Sequence, residues 1–192
     1  MIVSVNISGK HLSYQSLLVD VEMALEATKL SPSSLKLEIT ESAAMENAEQ
    51  TIRMLSHLKS LGVQLSIDDF GTGYSSLSYL HRFPLDTLKI DRSFVNSVGE
   101  NGEDSEILQT IVSLAKNLKM RVIAEGIETE SQLNILKNLG CDYGQGYLMS
   151  KPLPHDAIEA LIFEKQNWLP LDPTESVPNI TGISKDKNLP TF

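Results

Sequence analysis

Six short runs of β-branched and aliphatic residues, each followed by a stretch of helical period, limit what this chain can fold into more than any single residue does. The runs are Ile2 to Ile7, Leu35 to Thr40, Val63 to Ile67, Thr87 to Ile90, Val122 to Ala124 and Tyr143 to Met149. Between them Ile52, Leu55 and Leu58 mark one apolar helical stripe before Gly62, and Ile107, Ile111, Leu114 and Leu118 mark another. Thr129 with Gln132 three residues on forms a capping box, from which Leu133, Leu136 and Leu139 run to a helix-ending Gly140. Strands separated by helices cannot pair as hairpins, so the pattern predicts an α/β fold with parallel strands. The length of 192 residues suits one domain. The helical and strand periods stop near Phe163, so the predicted domain is 1–164, and 165–192 reads as a proline-containing polar tail or linker.

Parallel strands covered on both faces read as nearly continuous apolar runs, yet here one face is polar. Residues two apart share a face, which groups Ser4 with Asn6, Lys36 with Glu38, Ser66 with Asp68, and Lys89 with Asp91. Val3, Val5, Leu35, Leu37, Leu65, Ile67, Leu88 and Ile90 point the other way, where helices are expected to cover them. The polar face therefore looks into a barrel or cleft. Its charged members come late in each strand, where α/β folds place their sites.

Asn6, Glu38 and Asp68 are expected at the same late position on three successive strands. An amide oxygen and two carboxylates are hard donors suited to Mg²⁺ or Mn²⁺, and Asp69 is placed to serve a second ion or to cap the following turn. Lys89 falls inside this acid group, either balancing its charge or holding a water or phosphate oxygen. Glu125, ending the strand before GIETE, fits a base or a second-metal ligand. Glu128 and Glu130 are accounted for by placement near a helix N-terminus. Gln145 lies between glycines that imply close backbone approach. FGTGYSSL holds a lone GxG and not the full dinucleotide-binding spacing, so it reads as a loop at the mouth of the site.

The net charge of −9 argues against a grip on DNA or RNA, which depends on clustered Lys and Arg. Cys141 is the only cysteine, which rules out an intrachain disulfide and fits a reducing compartment. None of the four histidines has zinc-type spacing. No apolar run reaches membrane-spanning length and the N-terminus lacks a signal-peptide pattern, so a cytoplasmic location is expected.

NIS, LEITES, SIDDFGTGYSSLSYLHRFPLDTLKIDRSFV, VIAEGIETESQLNILKNLGCDYGQGY and SKPLP stand in this order in the chain. In that order they resemble the EAL family of cyclic di-GMP phosphodiesterases, from about Val3 to Phe163. The resemblance implies a (β/α)8 TIM-type barrel with one antiparallel strand, two Mg²⁺ or Mn²⁺ ions, and hydrolysis of cyclic di-GMP to linear pGpG. By motif it implies that Asn6, Glu38, Asp68 and Asp69 ligate metal, that Lys89 contacts the water or the second-site phosphate region, and that Glu125 acts near the catalytic water. It further implies that Glu41 orders the DDFG loop, that Glu128 supports the AEGIE block, that Asp91 is the aspartate of the KID motif, and that Gln145 completes the polar floor.

The chain departs from the family in one respect: no Glu-Ala-Leu stretch precedes Asn6. A barrel of this kind has eight strands in about 250 residues, whereas the pattern predicts six, so the first two strands are expected to be absent. An open sheet of this sort is expected to pair with a second copy or with a separately made N-terminal piece, and the resemblance implies sensory or GGDEF domains beside the unit in a parent chain. A metal-dependent cyclic di-GMP phosphodiesterase is the main functional expectation, with a non-catalytic cyclic di-GMP-binding or interaction module as the alternative. On the residues alone, a different metal-dependent α/β hydrolase also fits.

Overall fold

A computed structural model describes residues 1–14, 16–73, 76–97 and 104–163. The expected tail at 165–192 lies outside the described residues, as do Tyr74 and Ser75 of the glycine loop. In chain order the elements are β1 (Val3–Ile7), α1 (Gly9–Leu12), α2 (Ser16–Thr28), β2 (Leu35–Thr40), α3 (Glu41–Glu46), α4 (Ala48–Ser60), β3 (Gln64–Phe70) and α5 (Leu77–Leu80). They continue with β4 (Thr87–Ile90), α6 (Arg92–Asn96), α7 (Asp104–Asn117), β5 (Arg121–Glu125), α8 (Glu130–Leu139), β6 (Tyr143–Gln145) and α9 (His155–Phe163).

The strands form one sheet in sequence order, every pairing parallel. Helical crossovers of one hand keep the helices on one side of such a sheet, which curls into a half-barrel holding six strands of an α/β TIM-type fold. The antiparallel strand implied by the resemblance is not among the described residues. On the helix side Leu37, Ile39, Leu65, Ile67, Leu88, Ile90, Val122 and Ala124 are buried together with Leu55 and Leu58 of α4 and Leu108, Val112 and Ala115 of α7. Each fully buried leucine or isoleucine contributes about 1.5–3 kcal/mol relative to exposure, so this layer is the main source of stability.

Several details differ from the pattern in the sequence. Val3 and Val5 are 42% and 43% exposed, because β1 is an edge strand and has a crossover helix on one flank only. Asn6 pairs in register with Glu38, but Glu38 pairs with Ser66, and Asp68 pairs with Thr40 one step further along. Sequence spacing alone does not reveal that stagger, which accumulates as a sheet curls. β3 also continues beyond Ile67 to include both aspartates and Phe70. From Ile67 to Phe70 it advances three residues while β4 advances two, from Leu88 to Ile90, so a bulge falls on the aspartate pair. β6 ends at Gln145 and not near Met149. A Cβ on Gly146 would stand 2.1 Å from the Ile127 carbonyl oxygen, and the chain turns there to pack on the segment after β5.

Leu88→Ala is expected to cost about 2–5 kcal/mol in urea unfolding, as for buried leucines elsewhere. Val5→Ala is expected to change stability by less than about 0.5 kcal/mol, because its side chain is exposed at the sheet edge and outside the core; a large loss there would mean that the outer face of β1 is covered in solution.

Candidate active site

Lys89 of β4 lies at the centre of the inner face, with 6% of its side chain exposed. Its Nζ is 2.7 Å from Glu38 Oε2 of β2, 3.0 Å from Asp68 Oδ2 of β3 and 2.8 Å from Glu125 Oε1 of β5. Burial alone would push the ammonium pKa down, but the bonds to Glu125, Glu38 and Asp68 outweigh it and hold Lys89 charged, above the usual lysine range. Burial pushes the Glu125 carboxyl up, helped by Asp68 and Glu38 and opposed by Lys89.

Asp69 would point to the helix side if β3 alternated regularly. The bulge instead gives it a left-handed backbone with φ of 53°, a region that Asp tolerates better than most residues. As a result, Asp68, Asp69 and Glu125 each present an oxygen within 4.8 Å of the others. The Asp69 N–H donates to Asp68 Oδ1 at 3.0 Å. Burial, Asp68 and Asp91 push the Asp69 carboxyl up, while Lys89 draws it down. Such convergent anionic oxygens are costly side by side and suit a hard divalent cation. The donor set therefore fits a metal.

The surrounding residues are set by local structure. Thr40 caps α3, its Oγ1 accepting from the Ala43 N–H at 3.4 Å, and this starts the helix at Glu41. From there the buried Glu41 side chain reaches across to the turn after β3, and its Oε2 accepts the Gly71 N–H at 2.7 Å. Gly71 has φ of 98°, and an added Cβ would stand 2.6 Å from Phe94 Cε2, so only glycine fits there. Asp91 has left the strand: it caps α6, with Oδ1 accepting from the Ser93 N–H at 2.9 Å. Burial alone would raise the Asp91 carboxyl, but the bonds from Ser93 and Arg92 hold it below the usual range.

Three residues singled out in the sequence are exposed. Asn6 is exposed on edge strand β1, in register with Glu38. Glu128 is exposed in the turn before α8, where its N–H donates to Gln132 Oε1 at 2.8 Å. Gln145 is exposed beside Glu125 in register, and its carbonyl accepts the Ile127 N–H at 3.1 Å. Two inner-face groups gave no functional signal in the sequence. Lys36 is buried, and burial together with Arg121 and Lys89 pushes its amine down. Ser66 Oγ is buried beneath the cluster with no hydrogen-bond partner among the described residues.

No helix among the described residues is long and apolar enough to cross a membrane. Residues 1–152 match the EAL domain family. The chain is 49% identical over 160 residues to the cyclic di-GMP phosphodiesterase NbdA of Pseudomonas aeruginosa, covering 83% of this chain and 20% of the relative. It is 43% identical over 160 residues to the bifunctional diguanylate cyclase/cyclic di-GMP phosphodiesterase MucR of Pseudomonas aeruginosa, covering 83% and 23%. The chain thus spans about a fifth of the length of these curated relatives. Among solved structures it is similar to the PaMucR phosphodiesterase in a c-di-GMP complex, with a TM-score of 0.79 at 43% identity, covering 82% of this chain and 64% of that one. It is also similar to the EAL domain of Mycobacterium smegmatis DcpA, with a TM-score of 0.81 at 39% identity, covering 85% and 74%.

Lys89→Met removes the cation that buried Glu38 and Asp68 and half-buried Glu125 share, and unfolding experiments are expected to show a loss of about 3–5 kcal/mol at neutral pH, as when a buried pair loses one partner. The loss should shrink as the carboxylates protonate in acid. Asp69→Asn tests the opposite sign. A carboxyl whose folded pKa is raised costs stability above that pKa and nothing below the unfolded value. The variant should therefore raise the melting temperature of the metal-free protein near neutral pH, with the pH-dependent part of the gain vanishing below the ordinary carboxylate range. Asn also tolerates left-handed backbone, so the pH dependence carries the test; a gain independent of pH would count against the charge argument.

Proposed function

The chain belongs to the EAL domain family, and on that premise we propose that it hydrolyses cyclic di-GMP to linear pGpG with two divalent cations, Mg²⁺ or Mn²⁺. The observation that carries this reading is the convergence of Asp68, Asp69 and Glu125 oxygens within 4.8 Å beside Lys89. Asp68, Asp69, Glu38 and Asn6 would hold the cations. Bound there, the cations would lower the pKa of water and offset the charge that develops on the phosphate during in-line displacement.

The chain's own residues would do the rest. Lys89, held charged among its acids, would orient the attacking water or a phosphate oxygen. Glu125, whose carboxyl is shifted towards neutrality, would take the water's proton at its carboxylate. Glu41 would hold the loop after β3 through the Gly71 N–H, while Asp91, Glu128 and Gln145 would support the walls of the site. Support comes from NbdA and MucR, which are named as cyclic di-GMP phosphodiesterases, and from the c-di-GMP complex of PaMucR.

We further propose that 1–164 act as the EAL-type unit and 165–192 as a linker, in the cytoplasm. A second copy or sensory and GGDEF domains of a parent chain would flank the unit, a reading supported by the bifunctional name of MucR. A second reading, binding of cyclic di-GMP without turnover, is favoured by one feature. Lys89 already balances part of the acid charge.

Incubation of the chain with cyclic di-GMP and Mg²⁺ or Mn²⁺ should produce pGpG. Asp68→Asn should lower the rate by at least about 100-fold, since metal assistance supplies several kcal/mol of the barrier. Nucleotide binding without turnover would select the second reading, and neither binding nor turnover would overturn both.

A further inference from the structure

The acid-bearing ends of β3 and β5 are each followed by a left-handed glycine, Gly71 with φ of 98° and Gly126 with φ of 73°, and both glycines rest on one short helix, α6. A Cβ on Gly71 would stand 2.6 Å from Phe94 Cε2, and a Cβ on Gly126 would stand 2.5 Å from Arg92 Cβ. Neither glycine leaves room for a side chain between its turn and α6, so each turn packs directly on the helix. The helix is itself held from three sides. β4 runs directly into it, with Lys89 two residues before the capping Asp91. Val95 is fully buried in the core. Gln132 of α8, also buried, donates its Nε2 to the Val95 carbonyl at 3.3 Å, while its Oε1 accepts the Glu128 and Thr129 N–H groups at 2.8 and 3.0 Å.

The carboxylates gain their geometry from these turns. Asp69 lies two residues before Gly71 and Glu125 immediately before Gly126. A left-handed aspartate in a bulge relaxes unless its surroundings over-determine it. We propose that α6 is a positioning element for the acid cluster: Phe94 sets the turn that carries Asp69, and Arg92 with Gln132 sets the turn that carries Glu125. None of the three residues belongs to the acid cluster. Their effect on metal rests on the metal-dependent reading of the site, while their effect on the backbone does not.

The test uses the whole chain with Mn²⁺ alone as probe, its affinity read by electron paramagnetic resonance and the backbone read by hydrogen exchange at Gly71 and Ile127. Phe94→Ala is expected to weaken Mn²⁺ binding by about tenfold, the low end for residues that orient metal ligands. It should also speed exchange of the Gly71 amide, whose partner is Glu41. Gln132→Ala should weaken Mn²⁺ binding similarly and speed exchange at Ile127. Phe94→Leu, which keeps an apolar contact, should recover most of the affinity, and it decides by the same readouts if Phe94→Ala does not fold. A merely structural role would lower the melting temperature and leave Mn²⁺ affinity unchanged in the folded variant. That result, with Gly71 exchange as in the wild type, overturns the proposal. A wild-type chain that binds no Mn²⁺ would sink the metal reading separately. Gly71 exchange in Phe94→Ala would then decide the positioning role alone: faster exchange supports it and unchanged exchange overturns it.

Discussion

The inner face of this half-barrel depends on one ammonium group. Glu38, Asp68 and Glu125 come from three different strands, and without a cation among them their charges would repel across a poorly hydrated space. Lys89 reaches all three, so it ties β2, β3 and β5 together through β4 on the side of the sheet that has no apolar core. Stability from the helix side and charge balance from the inner side are thus separate contributions. The first comes from Leu, Ile and Val packed between sheet and helices; the second comes from a hydrogen-bonded cluster that still carries excess negative charge.

That excess is concentrated by a backbone irregularity. The bulge in β3 and the left-handed Asp69 bring two adjacent carboxylates to one side of a strand, where a regular pleat would send them to opposite sides. The arrangement is strained in itself, and its surroundings hold it in place: Glu41 captures the Gly71 N–H, and Phe94 fills the space that a side chain at Gly71 would need. A cation that binds these oxygens would therefore meet a site already arranged for it. Such preorganisation is the general way in which a protein site avoids reorganising at the moment of reaction.

The helix-facing pattern was readable because burial on one side of a strand imposes strict alternation. Leu35, Leu37, Leu65, Ile67, Leu88 and Ile90 are all buried as the alternation requires. The capping box at Thr129 and Gln132 and the left-handed Gly140 were readable for a similar reason, since they are local hydrogen-bond solutions with local signatures. Val3 and Val5 carry the same alternation and are exposed, because a pattern states which face a residue is on and not whether a neighbour covers it.

The sequence by itself determined the parallel α/β architecture, the polar inner face, and the residue types that gather there, because these follow from period, composition and short-range bonding. Tertiary structure alone decided the stagger that pairs Asp68 with Thr40, the turning of Asp69 towards Asp68 and Glu125, and the withdrawal of Asp91 to cap α6. It also decided that Gly71 and Gly126 share one supporting helix. The physical reason is that curl and bulge are properties of paired strands under packing. Where a side chain ends up in space depends on the register of its neighbours, which the order of residues along one strand does not contain.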